Sequence, residues 1–327
     1  MRAIHATRAG GPEVLSPAEL EAPQPGPGQL LVEVAAAGVN FIDTYQRSGT
    51  YPMDFPHVPG GEGAGRVLAV GPGVTDATVG DHVAWAAAPG SYAEQVLVPA
   101  AVAVPVPDGV DLTTAAALPL QGMTAHYLVA STYPVQAGDG VLVHAAAGGV
   151  GLLLTQLATQ RGARVIGTVS TPEKEALARA AGAREVIRYT ELDDLDTELP
   201  ALVRELTEGR GVHVVYDGVG RTTFDASLAS LRRRGMLVLF GGSSGQVPPV
   251  DLQRLNRAGS VFVTRPTLAD YTADRAELRW RAEELFAEVV AGRLDLRVGA
   301  TFPLADAAEA HRALEGRETT GKVLLVP

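Results

Sequence analysis

The 327 residues contain no cysteine. That excludes disulfides, thiolate catalysis and every cysteine-ligated zinc site. Lysine is nearly absent too. Lys174 and Lys322 are the only two and arginine supplies the other cations, so each lysine is more informative than usual. Positive charge is also outweighed, with a formal net charge of −10. This argues against nucleic acid or an anionic membrane as the main partner. No apolar run approaches membrane-spanning length, and Met1-Arg-Ala-Ile-His-Ala6 lacks the apolar core of a signal peptide. No repeat or low-complexity segment stands out. A cytoplasmic globular protein is expected, at 46% hydrophobic and 20% charged residues, and the length allows two domains with real cores.

What is present centres on Val141-Leu-Val-His-Ala-Ala-Ala-Gly-Gly-Val-Gly151. Val141, Leu142 and Val143 read as a buried strand, and the apolar pattern after Gly151 as a helix. Between them, Ala146-x-Gly148-x-x-Gly151 is a dinucleotide fingerprint with alanine in first place. Gly148 lets backbone approach a pyrophosphate, and Gly151 lets helix pack closely on strand. The helix N-terminus, through Gly149, Val150 and Gly151, then faces the phosphates. A glycine triplet alone is weak. A second strand at Arg164-Val-Ile-Gly-Thr-Val169 supplies the confirming context.

Residues 1 to about 120 read as short strands and proline- or glycine-rich turns. Strand candidates are Leu30 to Ala35, Gly65 to Gly71, His82 to Trp85 and Tyr92 to Val98. This predicts a β-rich, partly open barrel. A helical passage from Leu112 to Leu128, interrupted by Pro119, contains the domain crossover. A βαβ series follows, with strands at 141–145, 164–169, 185–189, 212–217 and 235–240. Its helices are expected at 149–161, 172–181, 196–207 and 222–231. Alternation at this spacing implies an α/β doubly wound parallel sheet. Ser260 to Thr264 would be its last, apolar edge strand. A helix from Asp274 to Ala291, a strand near 297–302, a helix at 304–315 and the strand Lys322 to Val326 look like a return to the first domain. The expected boundaries are therefore 1–120 with 265–327 for a catalytic domain, and 121–264 for a nucleotide-binding domain.

Several motifs sharpen this. They are Val39-Asn-Phe-Ile-Asp-Thr-Tyr45, Gly60-Gly-Glu-Gly-Ala-Gly65, Ala145 to Gly151, Tyr216-Asp-Gly-Val-Gly220, Phe240-Gly-Gly-Ser-Ser-Gly245 and Val263-Thr-Arg-Pro266. Together the chain resembles the medium-chain dehydrogenase/reductases, and within them the zeta-crystallin-like quinone reductases. The resemblance implies a GroES-like domain, a Rossmann domain binding NADPH, and a quinone as substrate. Asn40 stands where the zinc alcohol dehydrogenases carry a cysteine ligand, and Gly61 where they carry a histidine. No histidine pair has ligand spacing, so metal-independent activity is expected.

Quinone reduction gives a hydroquinone anion, which needs no Lewis acid, unlike the alkoxide from a simple ketone. A flat slot and a few hydrogen bonds suffice while the cofactor carries the chemistry. Asn40, Tyr45, Tyr51 and Gln121 are the slot candidates. Asn40 offers a donor to a carbonyl or to the cofactor's ribose and amide. The tyrosines offer faces and hydroxyls, although loop packing is the competing reading. The resemblance adds Thr124 beside the nicotinamide and Gly218, Val219, Phe240, Gly241 and Ser243 along the cofactor. Asp43 reads as a turn or helix cap, and Glu62 as a tie between the glycine loop and backbone. The second strand ends in Ser170, with no carboxylate to bond a ribose 2′-hydroxyl. Lys174 follows within reach of a 2′-phosphate, and the resemblance adds Tyr189 and Arg317 as further clamps. The open alternatives are an enone or enoyl reductase of the same fold and a non-catalytic crystallin- or RNA-binding-like protein. The unpaired edge at Ser260 to Thr264 predicts a homodimer.

Overall fold

Pro119 splits the helical passage in two. In the computed structural model, which describes residues 1–327, helix Leu112–Ala117 ends at Leu118 and a second helix, Pro119–Tyr127, begins on the proline. Proline lacks the N–H that a continuing helix would need, but its fixed φ suits a first turn. The chain divides close by into two compact units. One is Met1–Met123 with Thr272–Pro327, and the other is Thr124–Tyr271.

The second unit holds a six-stranded sheet. Its order is Glu185–Arg188, Arg164–Val169, Gly140–Val143, Val212–Asp217, Leu231–Leu239 and Phe262–Thr264, with every pairing parallel. This is the doubly wound arrangement expected. The helices Gly149–Gln160, Pro172–Ala180, Leu195–Leu206 and Phe224–Ser230 alternate with the strands. Strand Leu231–Leu239 starts four residues before its expected position at 235. Arg232, Arg233 and Arg234 are exposed there, and a register shift lies opposite Val212/Val214. A charged run lifted off a core resembles a loop in sequence, which is why the pattern placed the strand late.

In the first unit, strand Gln29–Val39 is central. It pairs with Lys322–Val326, Glu62–Val70 and Gln95–Pro99. The sheet runs Val298–Pro303, Lys322–Val326, Gln29–Val39, Glu62–Val70, His82–Trp85, Val104–Pro105. Thus the C-terminal strands join the N-terminal sheet. The expected strand from Tyr92 is shorter in the structure and begins at Gln95. Tyr92 is instead a fully buried side chain in the preceding turn. The strands Arg2–Ala6 and Leu15–Glu19, which pair with each other, were not expected from the sequence. The core gathers Ile4, Leu30, Val32, Val67, Trp85, Val98 and Leu325.

Candidate functional site

In the second unit, the turn after Gly140–Val143 supplies an anion cradle. Ala145 is forced into the left-handed region at φ 51, and Gly148 caps helix Gly149–Gln160 in extended conformation. The amide of Gly148 donates to Ala145 O at 2.9 Å, and that of Leu152 to Gly148 O at 2.9 Å. The amides of Gly149, Val150 and Gly151 between them make no backbone hydrogen bond. Three open N–H groups at the positive end of a helix fit a phosphate group. Gly151 is needed for packing, since an added Cβ would lie 2.9 Å from both Cα and C of Ala146 and closer still to Ala145 O.

Ser170 and Tyr189 follow adjacent strands, and Lys174 lies in the first turn of the helix that begins after Ser170. Val169 pairs with Arg188, so Ser170 and Tyr189 leave the sheet side by side. Thr190 Oγ1 donates to Ser170 O at 2.7 Å and ties the two loops. Thr171 caps the next helix, its hydroxyl accepting from the Lys174 amide at 3.3 Å. Each flanking acid has partners of its own. Glu175 bridges to Arg179 at 2.9 Å and Arg188 at 3.2 Å. Glu173 is held below the usual carboxylate range by its own backbone amide and the Thr171 hydroxyl.

Across the sheet, Gly218, Val219, Phe240, Gly241 and Ser243 form one loop pair. Ser243 N donates to Gly218 O at 3.2 Å, and the Phe240 ring lies over Gly218. Beneath them is a buried polar chain. Asp217 Oδ1 accepts from the amides of Val219 at 2.8 Å and Gly220 at 2.9 Å, and Thr223 Oγ1 bonds both Asp217 oxygens. Ser227 Oγ donates its only proton to Asp217 Oδ2. His144 Nε2 must therefore donate to Ser227 Oγ at 2.9 Å, leaving Nδ1 to accept from Thr168 Oγ1 at 3.0 Å. Burial pushes His144 below the ordinary histidine value, with Asp217 opposing it. This histidine is a satisfied interior one that fixes the Asp217 loop. Asp217 stood in a quoted motif, but its partners are far away in sequence.

The first unit carries Asn40, Tyr45, Tyr51 and Gln121. Asn40 caps helix Phe41–Arg47 in a capping box with Asp43, whose Oδ2 accepts from the Asn40 amide at 2.8 Å. Asp43 is thus a helix cap, as expected. It is also fully buried, which pushes its pKa up to about 7 against hydrogen bonds from Asn40 and Tyr92. Tyr45 and Tyr51 meet edge to face, with centroids 5.4 Å apart. Both are half-buried, as is Gln121, whose side chain makes no intramolecular hydrogen bond.

Asn40 differs most from expectation. Its Nδ2 donates to Glu62 Oε2 at 2.7 Å, and its Oδ1 accepts from Lys322 Nζ at 2.9 Å. The amide is engaged inside the unit and only 5% exposed. Glu62 reaches backbone, but that of Leu120, at 2.7 Å, and its other oxygen is ion-paired to Lys322. A second buried chain runs from Arg47 through His311 and Tyr92 to Asp43. Burial and then Arg47 push His311 down to about 3. Sequence offered no signal for either chain beyond the scarcity of lysine. Thr124 is a buried helix residue opening the second unit, while Arg317 is an exposed residue of the first with φ 58. No group of three or more His, Asp or Glu side chains is placed to hold a metal ion.

Residues 26–108 match the alcohol dehydrogenase GroES-like domain, and residues 149–277 the zinc-binding dehydrogenase family. A quinone oxidoreductase of Pseudomonas aeruginosa is 45% identical over 320 residues, 97% of each chain. The chain belongs to the medium-chain dehydrogenase/reductase family. A mycobacterial protein solved in complex with NADPH superposes with a TM-score of 0.97 at 55% identity, covering 100% of both chains. A 2-haloacrylate reductase of a Burkholderia species is 44% identical over 328 residues, 98% of this chain and 97% of that one. Zinc in the family's name does not fit this member. Asn40 and Gly61 offer no thiolate or imidazole, and the amide of Asn40 and carboxylate of Glu62 are already bound to an ammonium.

Proposed function

We propose that this chain is an NADPH-dependent quinone reductase working without a metal. The observation that carries the reading is full-length similarity to a quinone oxidoreductase in a chain whose residues form no metal-ligand group. NADPH supplies the hydride when bound. The second unit holds its pyrophosphate on the open amides of Gly149, Val150 and Gly151. Ser170, Lys174 and Tyr189 take the 2′-phosphate. Gly218, Val219, Phe240, Gly241, Ser243 and Thr124 flank the rest of the cofactor. In the first unit, Tyr45 and Tyr51 present flat faces to an aromatic acceptor. Gln121, whose amide is unspent, is the donor available to a quinone oxygen. Asn40 acts there by holding helix Phe41–Arg47 rather than by donating its amide.

The similarity to a 2-haloacrylate reductase favours one second reading, reduction of an activated alkene at the same site. Steady-state NADPH oxidation against a panel of quinones, enones, haloacrylates and enoyl thioesters separates the two. Highest kcat/KM on quinones supports the first. Turnover confined to the alkenes overturns it.

The assembly we propose is a homodimer in the cytoplasm. Strand Phe262–Thr264 ends the six-stranded sheet, with Phe262 57% exposed, and an open apolar edge invites antiparallel pairing with a second copy. No helix is long and apolar enough to cross a membrane.

A further inference from the structure

Lys322 is one of two lysines in the chain and is almost wholly buried, at 1% exposure. Three neighbouring strands bring it to its partners. Lys322 opens strand Lys322–Val326, Asn40 follows Gln29–Val39, and Glu62 opens Glu62–Val70. Gly38 pairs with Leu324 on one side and Glu62 on the other. The three polar groups close a triangle. The ammonium donates to Glu62 Oε2 and to Asn40 Oδ1, and Asn40 Nδ2 donates back to Glu62 Oε2. Gly38 makes room for it, since a Cβ there would lie 2.7 Å from both Cε and Nζ of Lys322.

A buried ion pair adds little net stability compared with apolar packing of the same volume, because both charges lose their hydration. Its distinctive property is direction. An amide turned over at Asn40 would place its NH2 against the ammonium and its oxygen against the carboxylate, two repulsions among side chains that are all buried. One orientation of Asn40 is therefore enforced. Asn40 also starts helix Phe41–Arg47, which carries Tyr45.

We propose that Lys322 is a tethered internal cation that acts as a positioning residue for acceptor reduction, holding Asn40 and the helix it caps in one arrangement. Its ammonium neutralises Glu62 and orients Asn40, and the butyl stem only delivers it. A small monovalent cation of the same chemistry should then replace the head group once the side chain is removed. The activity arm of this inference rests on the quinone-reductase reading, whereas the binding and stability arms do not.

The test uses full-length Lys322→Ala and Lys322→Met, with ammonium, methylammonium or tetramethylammonium chloride at equal ionic strength. Three quantities are read: quinone kcat, the NADPH dissociation constant without acceptor, and the thermal midpoint. Losing hydrogen bonds from a charged group should lower kcat about ten- to a hundredfold in both variants, with NADPH affinity within about twofold of wild type. Ammonium and methylammonium should raise kcat and midpoint of Lys322→Ala together. Tetramethylammonium, too large for the cavity, should raise neither. If Lys322→Ala is unfolded in sodium chloride, ammonium-specific refolding supports the inference and its failure overturns it. Wild-type kcat in folded Lys322→Met overturns it as well, as does equal response to all three salts. A wild-type enzyme inert toward quinones would instead refute the proposed function, leaving the ammonium-specific midpoint shift to decide this one.

Discussion

Gly148 and Gly151 sit three residues apart in one turn, yet their replacement by alanine should fail in different ways. At Gly151 the new methyl would lie 2.9 Å from two backbone atoms of Ala146 and nearer to Ala145 O, against roughly 3.5–4.0 Å for ordinary carbon contacts. No side chain can rotate away, so helix Gly149–Gln160 must retreat. Leu152, Leu153, Leu154 and Leu157, which that helix buries, lose contact with the sheet. Overpacking costs about 1–3 kcal/mol, and an all-backbone obstacle puts Gly151→Ala at the upper end. At about 2–4 °C per kcal/mol for a unit of this size, the midpoint should fall roughly 6–12 °C. At Gly148 the nearest atom is Ala145 O at 3.2 Å, and φ −76° with ψ 171° suits any residue. Alanine there is only a poorer cap, costing under about 1 kcal/mol. Its methyl, however, stands where a pyrophosphate must approach backbone, so NADPH affinity should fall at least about tenfold, or ~1.4 kcal/mol. Calorimetric melts of the cofactor-free proteins and NADPH titration by fluorescence measure the two effects. The reasoning is refuted if Gly148→Ala binds NADPH normally, or if it melts lower than Gly151→Ala.

Lys174→Ala should weaken NADPH about ten- to a hundredfold and leave NADH nearly unchanged, as expected for one lost charged hydrogen bond. Equal losses in kcat/KM for both cofactors would remove Lys174 from the 2′-phosphate site. Val263→Lys places a charge on the exposed edge strand and should shift sedimentation at micromolar concentration from dimer to monomer, while an unshifted dimer would place the interface elsewhere. Asp43 is raised from 3.8 to about 7, so the folded state holds a proton that the unfolded chain has lost, and stability from this group falls as pH rises through about 7. His311, lowered from 6.5 to about 3, acts with opposite sign and costs stability as pH falls below 6.5. Asp43→Asn removes the first term, so its unfolding free energy should drop more steeply than wild type's on acidification between pH 6.5 and 3.8. Parallel profiles would show that Asp43 does not titrate there.

The nucleotide-binding unit is legible because its central strands, Gly140–Val143, Arg164–Val169 and Val212–Asp217, are buried apolar runs alternating with helices, so pattern and fold coincide. The strand from Arg164 and the helix from Pro172 lie where the pattern put them. The first unit is less legible in sequence. Arg2–Ala6 is short and lacks clean alternation, and its partner Leu15–Glu19 contains a proline. Such strands are held by long-range pairing rather than local preference. Within the candidate site, residues in contiguous motifs could be named, as with Gly148, Gly151 and Ser170. Groups joined across the chain could not. Lys322 lies 260 residues from Glu62 and 282 from Asn40, and a lysine opening a terminal strand resembles a solvated end. In sequence Asn40 therefore reads as an open donor, although in the structure its donor is spent on Glu62.

The Lys322 triangle also bears on how a dehydrogenase of this family can do without metal ligands. A bound metal needs donors that shed protons and stay free for it. In this chain one carboxylate oxygen accepts the Leu120 amide and the other takes both Lys322 and Asn40. Charge balance around Asn40 is thus written into the chain and does not depend on metal supply. The requirement passes to geometry, since the ammonium must reach Glu62 past the bare Cα of Gly38. Gly38, Asn40, Glu62 and Lys322 consequently form one constraint. Asn40→Cys with Gly61→His alone should not create a metal site while Lys322 remains, because its ammonium already stands beside position 40.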